Sequence, residues 1–196
     1  PKLILIGFNH SFGFNREGDF DFLKKHQHLY GFDLLEIGEY IVDKKRISST
    51  QIRKDLKSGK LESVNKALGE TFSIKGCVVK GEGVGKKIGF PTANISIDKN
   101  KITPKRGVYY TDVLLKGERF KGMCNIGVRP TLKKESSKVS IEVHIFNLKS
   151  DLYGKTIELK FLKFMRNEVD FKSIELLKNQ LIIDKNKCLE YCNNNV

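Results

Sequence analysis

The sequence predicts an α+β chain in two parts, an α/β segment over residues 1–70 and a strand-rich segment over residues 71–196 that ends in a helix. Three observations carry this. A continuous apolar run near the start is followed by helical spacing, the periodicity changes to two after Thr71, and helical spacing returns at about Ser173.

Taken in order, Leu3-Ile4-Leu5-Ile6 runs into Gly7, the pattern of a buried parallel strand. A helical stretch follows around Asp19 to Tyr30, with Phe22, Leu23, His26 and Tyr30 on one side, and Leu34 to Val42 contains a second strand. RISSTQIRKDLKSGKLESVNKALGE then reads as two helices. Ser48 with Gln51 three residues later fits a capping box, Ile52 and Leu56 supply the apolar side, and Gly59 and Gly69 are helix stops. Beyond Thr71, Phe72 and Ile74 alternate with polar residues; so do Val139, Ile141, Val143 and Ile145, and again Ile157, Leu159 and Phe161. Glycines at 107, 117, 127 and 154 mark turns, so this half is an antiparallel barrel or sandwich. A final helix over Ser173 to Tyr191 carries Ile174, Leu177, Leu181, Leu189 and Cys192 on its apolar face. The parts divide near Gly69 to Thr71.

Composition narrows the function classes. The 196 residues, 39% hydrophobic and 30% charged, are those of a soluble globular protein. No apolar run reaches the ~18 residues of a membrane span, and the four-residue run at Leu3 to Ile6 is too short for a secretory signal core, so a cytoplasmic location is expected. The formal charge of +13 comes from lysines scattered among acidic residues, with no paired-aromatic RNA-binding signature. It reads as a lysine-rich composition with local anion sites, and no nucleic-acid or membrane partner is expected. Cys77, Cys124, Cys188 and Cys192 form no C-x-x-C pair and have no histidine at zinc spacing, which suits reduced thiols.

Two stretches suggest anion binding. The helix opening at Ser48 brings Ser49, Thr50 and Arg53 to a first turn with free backbone N–H groups, which is either a phosphate site or an ordinary capped helix with an exposed arginine. GEGVGKKIGFPTANIS, from Gly81 to Ser96, has the glycines and lysines of a phosphate loop, but neither standard motif fits. A Walker A loop would need glycine where Lys80 stands and Ser or Thr where Lys87 stands, and G-x-G-x-x-G fails at Lys86. On the strand VSIEVHIF, Glu142 and His144 lie on the face opposite the aliphatic residues.

These segments together resemble the riboflavin kinase family. GEGVGKKIGFPTANI is followed by GVY at Gly107, NIGVRPT at Asn125, IEVHIF at Ile141, DLYGK at Asp151 and R-x-E-x-x-F at Arg166, in the family's order. The resemblance implies a small closed antiparallel Greek-key barrel with a C-terminal helix, which phosphorylates riboflavin to FMN with ATP and Mg²⁺. It implies that Thr92 and Asn94 of the Pro91-Thr-Ala-Asn step offer neutral oxygens to the metal and phosphates. Gly81, Gly83 and Gly85 would form a flap over the phosphates together with Lys86, where the family often has arginine. Glu142 would be the catalytic base, and Arg129, Arg166 and Glu168 would line the flavin side.

LIGFNHSFGFNREGD and ISSTQIRKDL resemble the latter part of the FMN adenylyltransferase domain of bacterial bifunctional riboflavin kinase/FAD synthetases, a nucleotidyltransferase with a Rossmann-like α/β fold. The superfamily's H-x-G-H-type motif is missing, and Asn9 stands where the family commonly has aspartate. The abrupt start at Pro1 before a buried-type strand points to a fragment of a longer enzyme. Ser49, Thr50 and Arg53 are then a remnant phosphate site, and FMN adenylylation by this chain is not expected. Such a partial domain would leave apolar surface uncovered. A non-catalytic flavin- or nucleotide-binding barrel, or a basic nucleic-acid-binding module, is the competing reading.

Overall fold

In the computed structural model, which describes residues 1–129, 138–148 and 150–194, the first apolar run forms strand β1 (Leu3–Gly7). Helix α1 (Phe20–Tyr30) follows, and strand β2 (Asp33–Ile37) returns parallel to β1 with Leu5 opposite Leu35. Asp19 starts the helix by accepting from the Phe22 amide at 2.8 Å, which satisfies one of its orphan N–H groups. A small hairpin, β3 (Ile41–Val42) and β4 (Lys45–Arg46), completes the compact unit Pro1–Ser48. Alternation puts Leu3, Leu5, Leu35 and Ile37 on one face of the two-stranded sheet, and all four are more than half exposed. The two-stranded sheet therefore leaves apolar side chains uncovered on that face.

The second compact unit, Ser49–Val196, holds the barrel. It opens with α2 (Ser49–Ser58) and α3 (Leu61–Leu68), followed by β5 (Ser73–Val79), the single turn α4 (Val84–Lys87) and β6 (Ala93–Ser96). Then come β7 (Gly107–Leu115), β8 (Glu118–Arg129), β9 (Lys138–Ile145), β10 (Thr156–Arg166) and α5 (Ile174–Asn193). Strands β5 to β10 close into a barrel in the order β10-β5-β6-β9-β8-β7, with every pairing antiparallel. Of the two architectures that the alternation allows, the chain adopts the closed barrel.

Ile74, Tyr109, Ile126, Ile141, Val143, Leu159 and Phe161 fill the barrel. Leu56, Leu61 and Val64 from α2 and α3 join the same cluster, each contributing about 2 kcal/mol by leaving water. Asn65 fastens α3 to the barrel: its amide donates to Phe161 O at 3.0 Å and its carbonyl accepts from Phe72 N at 2.8 Å. The compact units divide after Ser48, and helices give way to strands near residue 70.

The last helix packs on the outside of the barrel. Ser173 caps it, and Leu177, Leu181, Cys188 and Cys192 pack against Tyr110, Met123 and Phe146. Two residues assigned to its apolar face are corrected here: Ile174 is 64% exposed and Leu189 is 38% exposed. Their inward places go to Cys188 and to Asp184, a buried carboxylate that hydropathy alone would put in water. No helix among the described residues is long and apolar enough to cross a membrane.

Candidate functional site

The hydrophobic pattern sets which strand residues face outward. Ile141, Val143 and Ile145 point into the barrel, so Glu142 and His144 point out, as the alternation requires. The pairing register then aligns a row across neighbouring strands: Asn94 opposite Glu142, Glu142 opposite Asn125, Asn125 opposite Val108, and Val108 opposite Arg166. Directly opposed residues share a face, so Asn94, Glu142 and Asn125 stand side by side on the outer face, with Val108 between Asn125 and Arg166.

The row borders one of two cavities that share Thr92. The smaller, about 250 Å³, lies between the outer barrel face and α5, with Met123, Asn125, Glu142 and His144 on one side and Leu177 and Leu181 on the other. Arg166, Glu168 and Phe171 close one end, while Gly85, Phe90 and Thr92 close another. The larger, about 490 Å³, is bounded by Gly83, Lys86, Pro91 and Thr92 and by the loop Ser150 to Tyr153. Thr92 borders both, and its hydroxyl donates to Glu142 Oε2 at 3.4 Å. A molecule in the smaller cavity can therefore present an atom to Glu142 within reach of a group held in the larger one.

The glycine-rich segment folds back on itself: Phe90 N–H donates to Gly85 O at 2.8 Å around the α4 turn. Gly83 and Lys86 face the larger cavity and Gly85 the smaller. Gly81 lies beneath the Asn94 side chain, where a Cβ would collide with the Asn94 amide. Asn94 is buried against that backbone and borders neither cavity. Its neighbour Thr92 is exposed to both.

Of the residues expected on the flavin side, Glu168 borders the smaller cavity with its carboxylate over Gly127, where a Cβ would meet Oε1. Arg166 borders the same cavity, but its guanidinium is bound to Asp184 through Nε at 2.9 Å and Nη2 at 2.7 Å. The Arg129 side chain lies outside the described residues, as do Pro130 and Thr131; the Arg129 backbone pairs with Lys138. Ser49, Thr50 and Arg53 lie at the start of α2, all exposed and away from both cavities.

Sequence reasoning gave no role to several residues that shape the site. His144 is buried, and its Nδ1 sits 2.8 Å from the Pro91 carbonyl. Burial holds its pKa below the ordinary histidine value, with the Lys185 charge acting in the same direction and the Pro91 bond opposing it. Asn125 and the loop from Asp151 to Tyr153 lay inside quoted motifs without a part of their own. Their one signal was adjacency to the glutamate strand and to the DLYGK turn.

Residues 68–192 match the family model described as riboflavin kinase, and residues 1–51 match the one described as FAD synthetase. The chain is 40% identical over 194 residues to the bifunctional riboflavin kinase/FMN adenylyltransferase of Buchnera aphidicola subsp. Schizaphis graminum, covering 98% of this chain and 62% of the relative. It is 38% identical over 191 residues to the protein of that name from Escherichia coli strain K12, covering 97% and 60%. The Bacillus subtilis strain 168 relative is 39% identical over 151 residues, 76% of this chain and 48% of its own length. The chain thus spans 62% or less of the length of these curated relatives. A crystal structure described as a macrolide-efflux protein from Streptococcus pneumoniae matches with a TM-score of 0.81 at 30% identity, over 94% of this chain and 59% of that one.

Proposed function

The chain belongs to the riboflavin kinase family, and on that premise we propose that it transfers the γ-phosphoryl group of ATP to the ribityl 5′-hydroxyl of riboflavin, giving FMN and ADP. The observation that carries this reading is Thr92, which borders both cavities and stands 3.4 Å from Glu142. Riboflavin takes the smaller cavity, whose apolar walls suit a flat aromatic ring, and ATP takes the larger, where Lys86 meets its phosphates. Glu142 accepts the proton of the 5′-hydroxyl as that oxygen attacks, and ADP leaves on the far side. Because phosphoryl transfer depends mostly on alignment and charge neutralisation, the flap contributes as much as the base.

Thr92 and Asn94 are the residues that would hold Mg²⁺, whose part is to neutralise the phosphate charge. Their chemistry fits a hard ion that keeps water and phosphate ligands: a hydroxyl that borders the larger cavity and the oxygen of a side-chain amide whose nitrogen packs over Gly81. Among the described residues no cluster of three or more His, Cys, Asp or Glu could hold a metal ion.

Residues 71–196 carry this activity in our reading, and residues 1–70 are an adenylyltransferase-like segment whose last two helices serve the barrel. Ser49, Thr50 and Arg53 keep the composition of a phosphate site, without adenylyl transfer. A cytoplasmic enzyme acting on small molecules, with neither nucleic acid nor membrane as partner, fits the scattered lysines. The test is incubation with riboflavin, ATP and Mg²⁺ followed by chromatographic separation of the flavins. FMN alone is the expected product. FAD as well would overturn the reading of the first segment, and no new flavin would favour a non-catalytic binding barrel.

A further inference from the structure

We propose that His144 is a positioning residue for this phosphoryl transfer: its ring holds the Pro91 carbonyl and so sets where Thr92 stands relative to Glu142. The inference rests on the kinase reading above and adds a residue that the reading leaves without a role.

The backbone ladder between β6 and β9 ends at Ala93 opposite Val143. One step further, alternation would bring Thr92 opposite His144, but the ladder has stopped there. The His144 side chain takes over, with Nδ1 at 2.8 Å from Pro91 O. Proline has no N–H, so its carbonyl is the one backbone group it can offer. A carbonyl only accepts, so Nδ1 carries the proton and donates.

The ring itself is clamped. Phe90 meets it edge-on at 5.3 Å between centroids and Phe146 stands at 5.7 Å, while His144 is 8% exposed. Phe90 and Thr92 flank Pro91 in the chain, so the grip acts at both ends of the proline. The flap's own backbone bond, Phe90 N–H to Gly85 O, closes it upon itself; the His144 bond ties it to the barrel. Thr92 then faces Glu142 across 3.4 Å, a long contact that a small shift of Pro91 would break. The Nδ1–H donor persists in both the neutral and the protonated ring, so the grip does not depend on titration.

The experiment compares His144→Leu with His144→Asn in the full chain. Leucine fills space without a donor, whereas the asparagine amide can place an N–H near the position of ring Nδ1. His144→Leu is expected to lower kcat on the order of tenfold with little change in KM for riboflavin, and His144→Asn to recover most of the loss. A leucine variant with parental kcat would overturn the proposal. So would an asparagine variant as slow as the leucine one, because the ring's bulk and not its N–H would then matter. If the parent chain makes no FMN, the kinase reading fails separately, and ¹⁵N spectra of the free protein decide the positioning claim. Protonated Nδ1 with bare Nε2 supports it, and the opposite tautomer overturns it.

Discussion

Arg166 on β10 grips Asp184 on α5 with two guanidinium nitrogens, Nε at 2.9 Å from Oδ1 and Nη2 at 2.7 Å from Oδ2. Gln180 adds a bond to Oδ1 at 2.9 Å, and Arg166 Nη1 donates to Asn167 O at 2.9 Å. Asp184 is 1% exposed, so its charge depends on these donors for the solvation that it gave up. The pair fixes the helix that walls the smaller cavity.

Replacing Arg166 with methionine should therefore cost stability. Breaking a buried pair from one side typically costs about 3–5 kcal/mol, and the partly exposed guanidinium puts the expected loss near the low end, about 3 kcal/mol. Urea denaturation with an unchanged m-value would measure it. A loss below about 0.5 kcal/mol, the range of ordinary surface substitutions, would mean that the helix is held by its apolar contacts alone.

Glu142→Gln keeps the shape of the site and removes the proton acceptor. Turnover should fall about 10²–10⁴-fold, the usual worth of a positioned base, while riboflavin binding followed by flavin fluorescence stays close to that of the parent. Near-normal turnover would remove Glu142 from the mechanism.

Gly81→Ala tests the support beneath Asn94. The added methyl would strike the Asn94 amide and force that side chain to shift. The expected result is a higher KM for Mg-ATP with little change in KM for riboflavin. Equal changes in both constants would show that the strain spreads through the barrel.

The thiols should divide by burial. Cys77 is exposed, whereas Cys124 and Cys188 are buried; burial first and Asp184 second push the Cys188 thiol up to about 12. Burial, then the Glu142 carboxylate, raises Cys124 as well. At pH 8 both stay protonated in the native state, so a thiol reagent should modify Cys77 promptly and reach Cys124 and Cys188 only on unfolding. Prompt native reaction at Cys124 would show that the barrel opens readily.

Much of the site was legible because strand alternation is strict. Once Ile141, Val143 and Ile145 were assigned inward, Glu142 had to face out; that the Pro91-Thr-Ala-Asn step starts the neighbouring strand is a matter of pairing, which alternation does not reveal. Helix faces were less legible. Asp184 takes an inward place because Arg166 waits there, a partner 18 residues away that periodicity cannot reveal. Asn65 was invisible for the same reason, since its partners are the backbone atoms of Phe72 and Phe161. The role of His144 depends on where a ladder stops, and that is a property of pairing rather than of residue type.

The shared core of α2, α3 and the barrel has a practical consequence for anyone who wants the catalytic part as a portable module. Cutting at the first barrel strand would discard Leu56, Leu61 and Val64 and leave the underside of the barrel wet, at about 2 kcal/mol for each lost aliphatic chain. With marginal native stability, that sum is enough to unfold what remains. An excision meant to survive on its own should start at Ser49, so that the two helices travel with the strands whose base they seal.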